Sequence, residues 1–314
     1  MADKTKIEWC DATANVVNGC SLASPGCTNC YAMRLAGTRM KHHPTRAGLT
    51  QDSKAGPVWT GEVRFHEPAL QQVLRWKAPR RIFWNAHGDL FHENVPDEWI
   101  DRCFAAMALT PQHTHQVLTK RSARMREYFN SKTSASGAGA VADQIKALGG
   151  GPAQQLAFMD RMAEHSCLRN AWLGVSVEDQ ARADERIPDL LATPAAVRWL
   201  SCEPLLGPVD LRGYISEAWE GYASTYTDQH GIRRSDLTGN AIDGLDWIVV
   251  GGESGPGARY MQPAWAQSIV DQCGAASVPV FVKQLSSGGP RAIKDIEQFP
   301  EGLRVQEWPE VSHA

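Results

Sequence analysis

Residues 81–93 read RIFWNAHGDLFHE, a short apolar run that turns polar at once. RIFW is too short for a helix and reads as a strand buried on both faces. Asn85, His87, Asp89 and His92 follow it. The same grammar recurs down the chain. HQVL (115–118) is followed by Thr119, Lys120 and Arg121, and AWLGV (171–175) by Ser176, Glu178 and Asp179. VRWL (197–200) leads to Ser201, Cys202 and Glu203, DWIVV (246–250) to GGESG (251–255), and PVFV (279–282) to Lys283 and Gln284.

Between these runs lie helical patterns. PDEWIDRCFAAMAL (96–109) places Trp99, Ile100, Cys103, Phe104 and Met107 on one face, with Asp97 near its start. QPAWAQSIVDQCGAA (262–276) has Pro263 as a first helical residue and Trp265, Ile269, Val270 and Cys273 as its stripe. Strand–helix alternation argues for parallel βα units. In such architectures the C-terminal strand ends share one rim, and the ligand site lies there. The expected fold class is therefore α/β, a partial (β/α)6 TIM-like barrel of parallel strands. Residues 130–166 and 213–244 are rich in Gly, Ser and Thr and read as loop insertions. The barrel is expected over residues 1–290, with 291–314 as a tail.

A second stretch bears on chemistry. GCSLASPGCTNCYA (19–32) holds Cys20, Cys27 and Cys30 among Gly, Pro and Asn turn residues. The preceding NVVNGC is a candidate first strand, which puts these thiols on the same rim. With eight cysteines in 314 residues and no apolar leader at the start, the expected compartment is the reducing cytoplasm. That disfavours disulfides, and Cys103, Cys167, Cys202 and Cys273 read as small buried hydrophobes. No run of 18 apolar residues is present, so no membrane partner is expected. The C-x6-C-x2-C spacing leaves three readings open: an iron–sulfur cluster with one free iron, a zinc site completed by His42, His43 or His87, or coincidence. Net charge is only −3, but residues 31–81 hold ten Lys and Arg against Asp52, Glu62 and Glu67. Such a stretch suits a phosphate-binding surface, and equally a solvated face.

The string TKIEWCDATANVVNGCSLASPGCTNCYAMR resembles the N-terminal signature of a radical-SAM-like family of phage and prophage proteins carrying a three-cysteine motif. Similar blocks continue through NAHGDLFHENVPDEWIDRCF, HTHQVLTKRSARM, WLGVSVED, RWLSCEPLLG, DWIVVGGESGPGARYM and VFVKQ. The resemblance implies a 4Fe–4S cluster on Cys20, Cys27 and Cys30, with S-adenosyl-L-methionine bound at the open iron. A one-electron reductant would then yield a 5′-deoxyadenosyl radical. It also implies cofactor contacts from Asn85 and Asp89 to the methionyl amine and from Ser176 and Glu178 to the ribose. Tyr31, the aromatic after the third cysteine, and Gly252, in GGESG, join that cofactor set. Lys120, Glu203 and Glu253 are the candidate catalytic residues. The phage association points to a nucleobase or DNA adduct as substrate, in the host cytoplasm. The alternative is a zinc- or cluster-bound module without catalysis, serving as a nucleic-acid or protein partner.

Overall fold

A computed structural model describes residues 5–215, 225–227, 233–235 and 244–310. The chain divides into two compact units, Met1–Trp172 with Thr193–Ala195, and Leu173–Ala192 with Ala196–Ala314.

The first unit begins with β1 (Ala12–Ala14) and β2 (Val17–Asn18). Helix α1 (Tyr31–Gly37) follows, then a hairpin of β3 (Thr50–Ser53) and β4 (Gly56–Trp59), and then β5 (Arg64–Phe65) and α2 (Glu67–Arg75). Next come β6 (Arg81–Trp84), α3 (Asp97–Ala108), β7 (Thr114–Thr119), α4 (Ser122–Lys132), α5 (Ala135–Ala147) and α6 (Pro152–His165). Strand β8 (Ala171–Ser176) starts in this unit and ends in the second. The second unit continues with α7 (Gln180–Leu191), β9 (Val197–Cys202), α8 (Arg212–Ile215), β10 (Thr225–Thr227), β11 (Arg233–Ser235), β12 (Trp247–Gly251), α9 (Pro263–Ala275) and β13 (Val280–Gln284).

Seven of these strands form one sheet in the order β1–β6–β7–β8–β9–β12–β13. They follow one another as they do in the chain, with α3, α7 and α9 among the crossovers, which is the strand succession of a partial (β/α) barrel. The α/β fold with parallel strands is the one expected. Strand pairing is parallel for β1 with β6, β6 with β7, β9 with β12, and β12 with β13. Burial on both faces explains the near-continuous apolar runs: every residue of β8, β9 and β12 is buried.

Three expectations are revised. The first strand is Ala12–Ala14, ahead of NVVNGC, whose Val17 and Asn18 instead pair antiparallel with β5. Asn15 takes the chain out of the sheet, its Oδ1 accepting the His87 N–H at 3.1 Å. Residues 130–166 are helical rather than a loop. Ser134 caps α5 by accepting the Gly137 N–H, and Pro152 opens α6 behind Gly151. Ala138, Val141, Ala142 and Ile145 then bury one face of α5, a 3.6-residue period that the Gly and Ser content obscured. Thirdly, Trp265 and Val270 of α9 are only half-buried, and its core stripe is Ala266, Ile269 and Cys273. The other interruption, 213–244, falls largely outside the described residues; Thr225–Thr227 and Arg233–Ser235 within it pair antiparallel.

The first unit's core contains a neutral histidine. His115 is fully buried, and burial, with His113 adding to it, pushes its pKa down to about 3. Trp84 donates its indole N–H to Nδ1 at 3.0 Å. Thr110 gives its hydroxyl proton to the Ala106 carbonyl and so faces Nε2, also at 3.0 Å, as an acceptor. The ring is thus the Nε2–H tautomer. In the unfolded chain this histidine would titrate near 6.5. Its contribution to stability is full above that pH and is lost as pH falls towards 3. Urea midpoints measured from pH 7 to pH 4.5 should therefore fall, and H115Q should show a shallower decline. In the second unit, Gly174 faces the Trp199 ring, and an added Cβ would sit 2.5 Å from ring carbon. Gly174→Ala should cost about 1–3 kcal/mol of unfolding free energy, read by chemical denaturation.

Candidate functional site

In the first unit the cysteine loop and the turn after β6 meet through backbone alone. Gly19 and Gly88 form a parallel bridge, and the Gly19 N–H donates to the His87 carbonyl at 3.1 Å. Gly19 has φ +97°, and a Cβ there would lie 2.1 Å from the Glu62 carbonyl oxygen. A Cβ on Gly88 would lie 2.6 Å from the Val17 oxygen. Only glycine satisfies both positions. Asn85 closes the same corner with a left-handed backbone, φ 57°. Its N–H donates to Ala14 and its Oδ1 accepts the Val17 N–H at 2.8 Å.

Asp89 anchors the corner to β7. Its buried carboxylate accepts the Phe91 N–H at 3.0 Å, the Thr119 hydroxyl at 2.7 Å, the Lys120 N–H at 3.1 Å and Arg121 Nη1 at 3.2 Å. Four donors match its roughly four lone-pair directions. Arg121 then reaches the cysteine loop. Its Nη1 also points at Cys20 Sγ, 3.5 Å away. Its Nη2 donates to the Ser21 carbonyl and hydroxyl, and its Nε to Glu93 at 3.1 Å. Ser21 passes its own proton to Glu93 at 2.8 Å, with buried His92 Nε2 3.0 Å from the same hydroxyl. Burial works against ionising Glu93, but its backbone bond and the Ser21 and Arg121 donors overcome it and hold the carboxyl at about 2.

Two of the three thiols in the loop, Cys20 and Cys30, are shifted by their surroundings. Burial, then Asp89, pushes Cys20 up to about 12, opposed by Arg121, with Cys27 and Cys30 each raising it further. Cys30 is raised by burial and by Cys27, and is faced by donors from Met33, Ala32 and Trp59. Cys27 Sγ accepts the Ala23 N–H at 3.5 Å. The fold thus brings Cys20, Cys27 and Cys30 together, beside an apolar floor of Ala32, Met33, Ala36, Leu49 and Trp59. Among the described residues, no three His, Cys, Asp or Glu side chains are arranged as ligands of one metal ion. Donor N–H groups and a guanidinium around the sulfurs suit the negative charge that thiolate ligation brings.

Tyr31 follows directly. It is 56% exposed, its hydroxyl donates to the Ala86 carbonyl at 2.7 Å, and its ring stands edge-on to His87 at 6.1 Å. Lys120 is half-buried and meets Asp89 through its backbone. Arg121, rather than Lys120, extends to the cysteines. The sequence signal for it is the basic pair at a strand end, which does not say which side chain turns inward. Ser21, Glu93 and Trp59 had no signal at all.

The remaining candidates belong to the second unit. Glu178 is fully buried and paired to Arg186 at 3.1 Å, and the Ser176 carbonyl accepts from the same guanidinium at 2.9 Å. Glu203 lies 2.9 Å from Lys283 Nζ, and Gly251 leaves it room, since a Cβ there would meet its carboxylate at 2.4 Å. Gly252 packs on Ser286 and bonds through its N–H to the Gln284 carbonyl. Glu253 takes Arg259 at 2.7 Å. Each expected carboxylate of this unit therefore carries a cationic partner.

Residues 4–307 match the profile of a family described as Protein of unknown function (DUF5131). The chain belongs to that family. No curated protein and no solved structure matches it. No described helix is long and apolar enough to cross a membrane.

Because Asp89 and Arg121 are both largely buried, Asp89→Asn should weaken the hold on the guanidinium, leaving Glu93 as its remaining carboxylate. A loss of about 1–3 kcal/mol in unfolding free energy is expected by urea denaturation.

Proposed function

We propose that this protein is a radical-SAM-type iron–sulfur enzyme whose cluster is held by Cys20, Cys27 and Cys30. The observation that supports this reading is that one loop, pinned to a parallel-strand rim by the Gly19–Gly88 bridge and by Arg121, carries all three thiols, with Cys20 and Cys30 packed on a common apolar floor. When bound, the cluster would supply the electron that cleaves S-adenosyl-L-methionine to methionine and a 5′-deoxyadenosyl radical. The chain's own residues do the rest. Arg121 neutralises part of the thiolate charge at Cys20 and is itself oriented by Asp89. Asn85 leaves its buried Nδ2 without an acceptor among the described residues. An unmade bond there costs about 1–3 kcal/mol, which a ligand carboxylate oxygen would recover. Leu22 and Tyr31, both exposed beside the loop, would exclude water once a ligand covers them. A nucleobase or DNA adduct remains the proposed substrate class.

Anaerobic reconstitution should give about four irons per chain, and reduction with S-adenosylmethionine present should release 5′-deoxyadenosine. The triple C20A/C27A/C30A variant should lose the iron, while C103A, with its thiol in the α3 core, should keep it. A chain that takes up one zinc and never yields 5′-deoxyadenosine would overturn the reading.

A further inference from the structure

We propose that Arg46 and Arg64, with His66 and His87 beside them, form a binding site for the phosphate of a nucleotide unit whose base lies on Tyr31. The argument starts from charge that the fold does not compensate. Arg46 is 5% exposed. Its Nη1 donates to the Thr45 carbonyl at 3.2 Å and hydroxyl at 2.9 Å, and its Nη2 to His87 Nδ1. Arg64 spends its donors on the carbonyls of Pro44, at 2.7 Å, and Ala47, at 2.9 Å. Neither guanidinium has a carboxylate partner among the described residues. By contrast Arg102, Arg121, Arg186 and Arg259 each have one.

The excess positive field is felt by the neighbours. Burial, then Arg64, lowers Arg46 to about 10. Burial, then Arg46, takes His87 to about 4, and His66 is lowered by burial, Arg46 and His43. A buried cation without a counter-ion is costly, and carbonyl bonds offset only part of that cost. A tetrahedral oxyanion is the natural complement, since its oxygens accept the guanidinium fork in pairs.

The aromatic neighbour narrows the anion to a nucleotide. Tyr31 is held by its hydroxyl bond to Ala86 and leaves its ring exposed, next to the His87 ring that Arg46 touches. A fixed aromatic face beside guanidinium groups is one way proteins grip unpaired nucleotides, with stacking for the base and guanidinium for the phosphate. This names the substrate class of the site proposed above. It rests on that reading only for the claim that the bound nucleotide is acted on there.

The test is binding by the full-length chain, with three probes: a fluorescent single-stranded oligodeoxynucleotide, a deoxynucleoside monophosphate and inorganic phosphate. R64Q should weaken oligonucleotide binding about tenfold and reduce the slope of log K against log salt by about one. Y31A should weaken it about tenfold and leave the slope unchanged. Each bound probe should raise the melting temperature of the wild type and not of R46M. Should R46M fail to fold, R64Q and Y31A still decide the matter. Preference for the oligonucleotide identifies a nucleic-acid strand as the source, and equal or better binding of the monophosphate identifies a free nucleotide. Binding is read on the iron-free chain as well as on the reconstituted one and should be seen in both, so loss of the iron reading leaves this result standing. Unchanged affinity and salt slope in R64Q together with unchanged affinity in Y31A, or no binding of any probe, would overturn the proposal.

Discussion

The Asp89–Arg121 pair is the contact on which the cysteine loop's position depends. A loop built of Ser, Gly, Pro and Ala has little apolar surface with which to hold itself down, so it must be held by polar bonds. Asp89 fixes one end of the guanidinium to the exit of β7, and the other end spans Ser21, Cys20 and Glu93. One side chain thereby converts a strand end into a fixed coordinate for a sulfur. The arrangement is largely buried and holds the guanidinium at three points, Asp89, Ser21 and Glu93, so it is unforgiving of change at any of them.

Glycine supplies the complementary constraint. Gly19 and Gly88 let two loops approach to backbone distance, and Asn85 locks the turn with a left-handed conformation that few residues accept. Polar bonds set direction and glycines set distance. Neither would suffice alone, since an arginine bridge tolerates sliding and a glycine contact tolerates rotation.

How much of this was legible follows from which physics each feature uses. Strands such as Arg81–Trp84 and Trp247–Gly251 were plain because double-sided burial writes a contiguous apolar run. The cysteine cluster was plain because its members lie within eleven residues of one another. Helix α5 was hidden because Gly and Ser carry turn propensity, while two of its four buried residues are alanines that carry little contrast. The choice of Arg121 over Lys120 was hidden because a side chain's direction at a strand exit is set by tertiary partners. The uncompensated state of Arg46 was hidden too, since a sequence lists charges and never their spacing.

The edge of the sheet at β13 is also covered from within the chain. The segment beyond β13 returns alongside it, with the Val282 N–H donating to the Val305 carbonyl and the Glu307 N–H to Val280. Trp308 then stacks edge-on against Phe281 at 4.9 Å. A parallel sheet whose last strand is left bare offers a ready template to any other extended chain. Here the protein supplies its own stopper, so the outermost strand is spoken for before a stranger arrives. The residues that looked like an appendage occupy the backbone donors and acceptors along β13 that face away from β12.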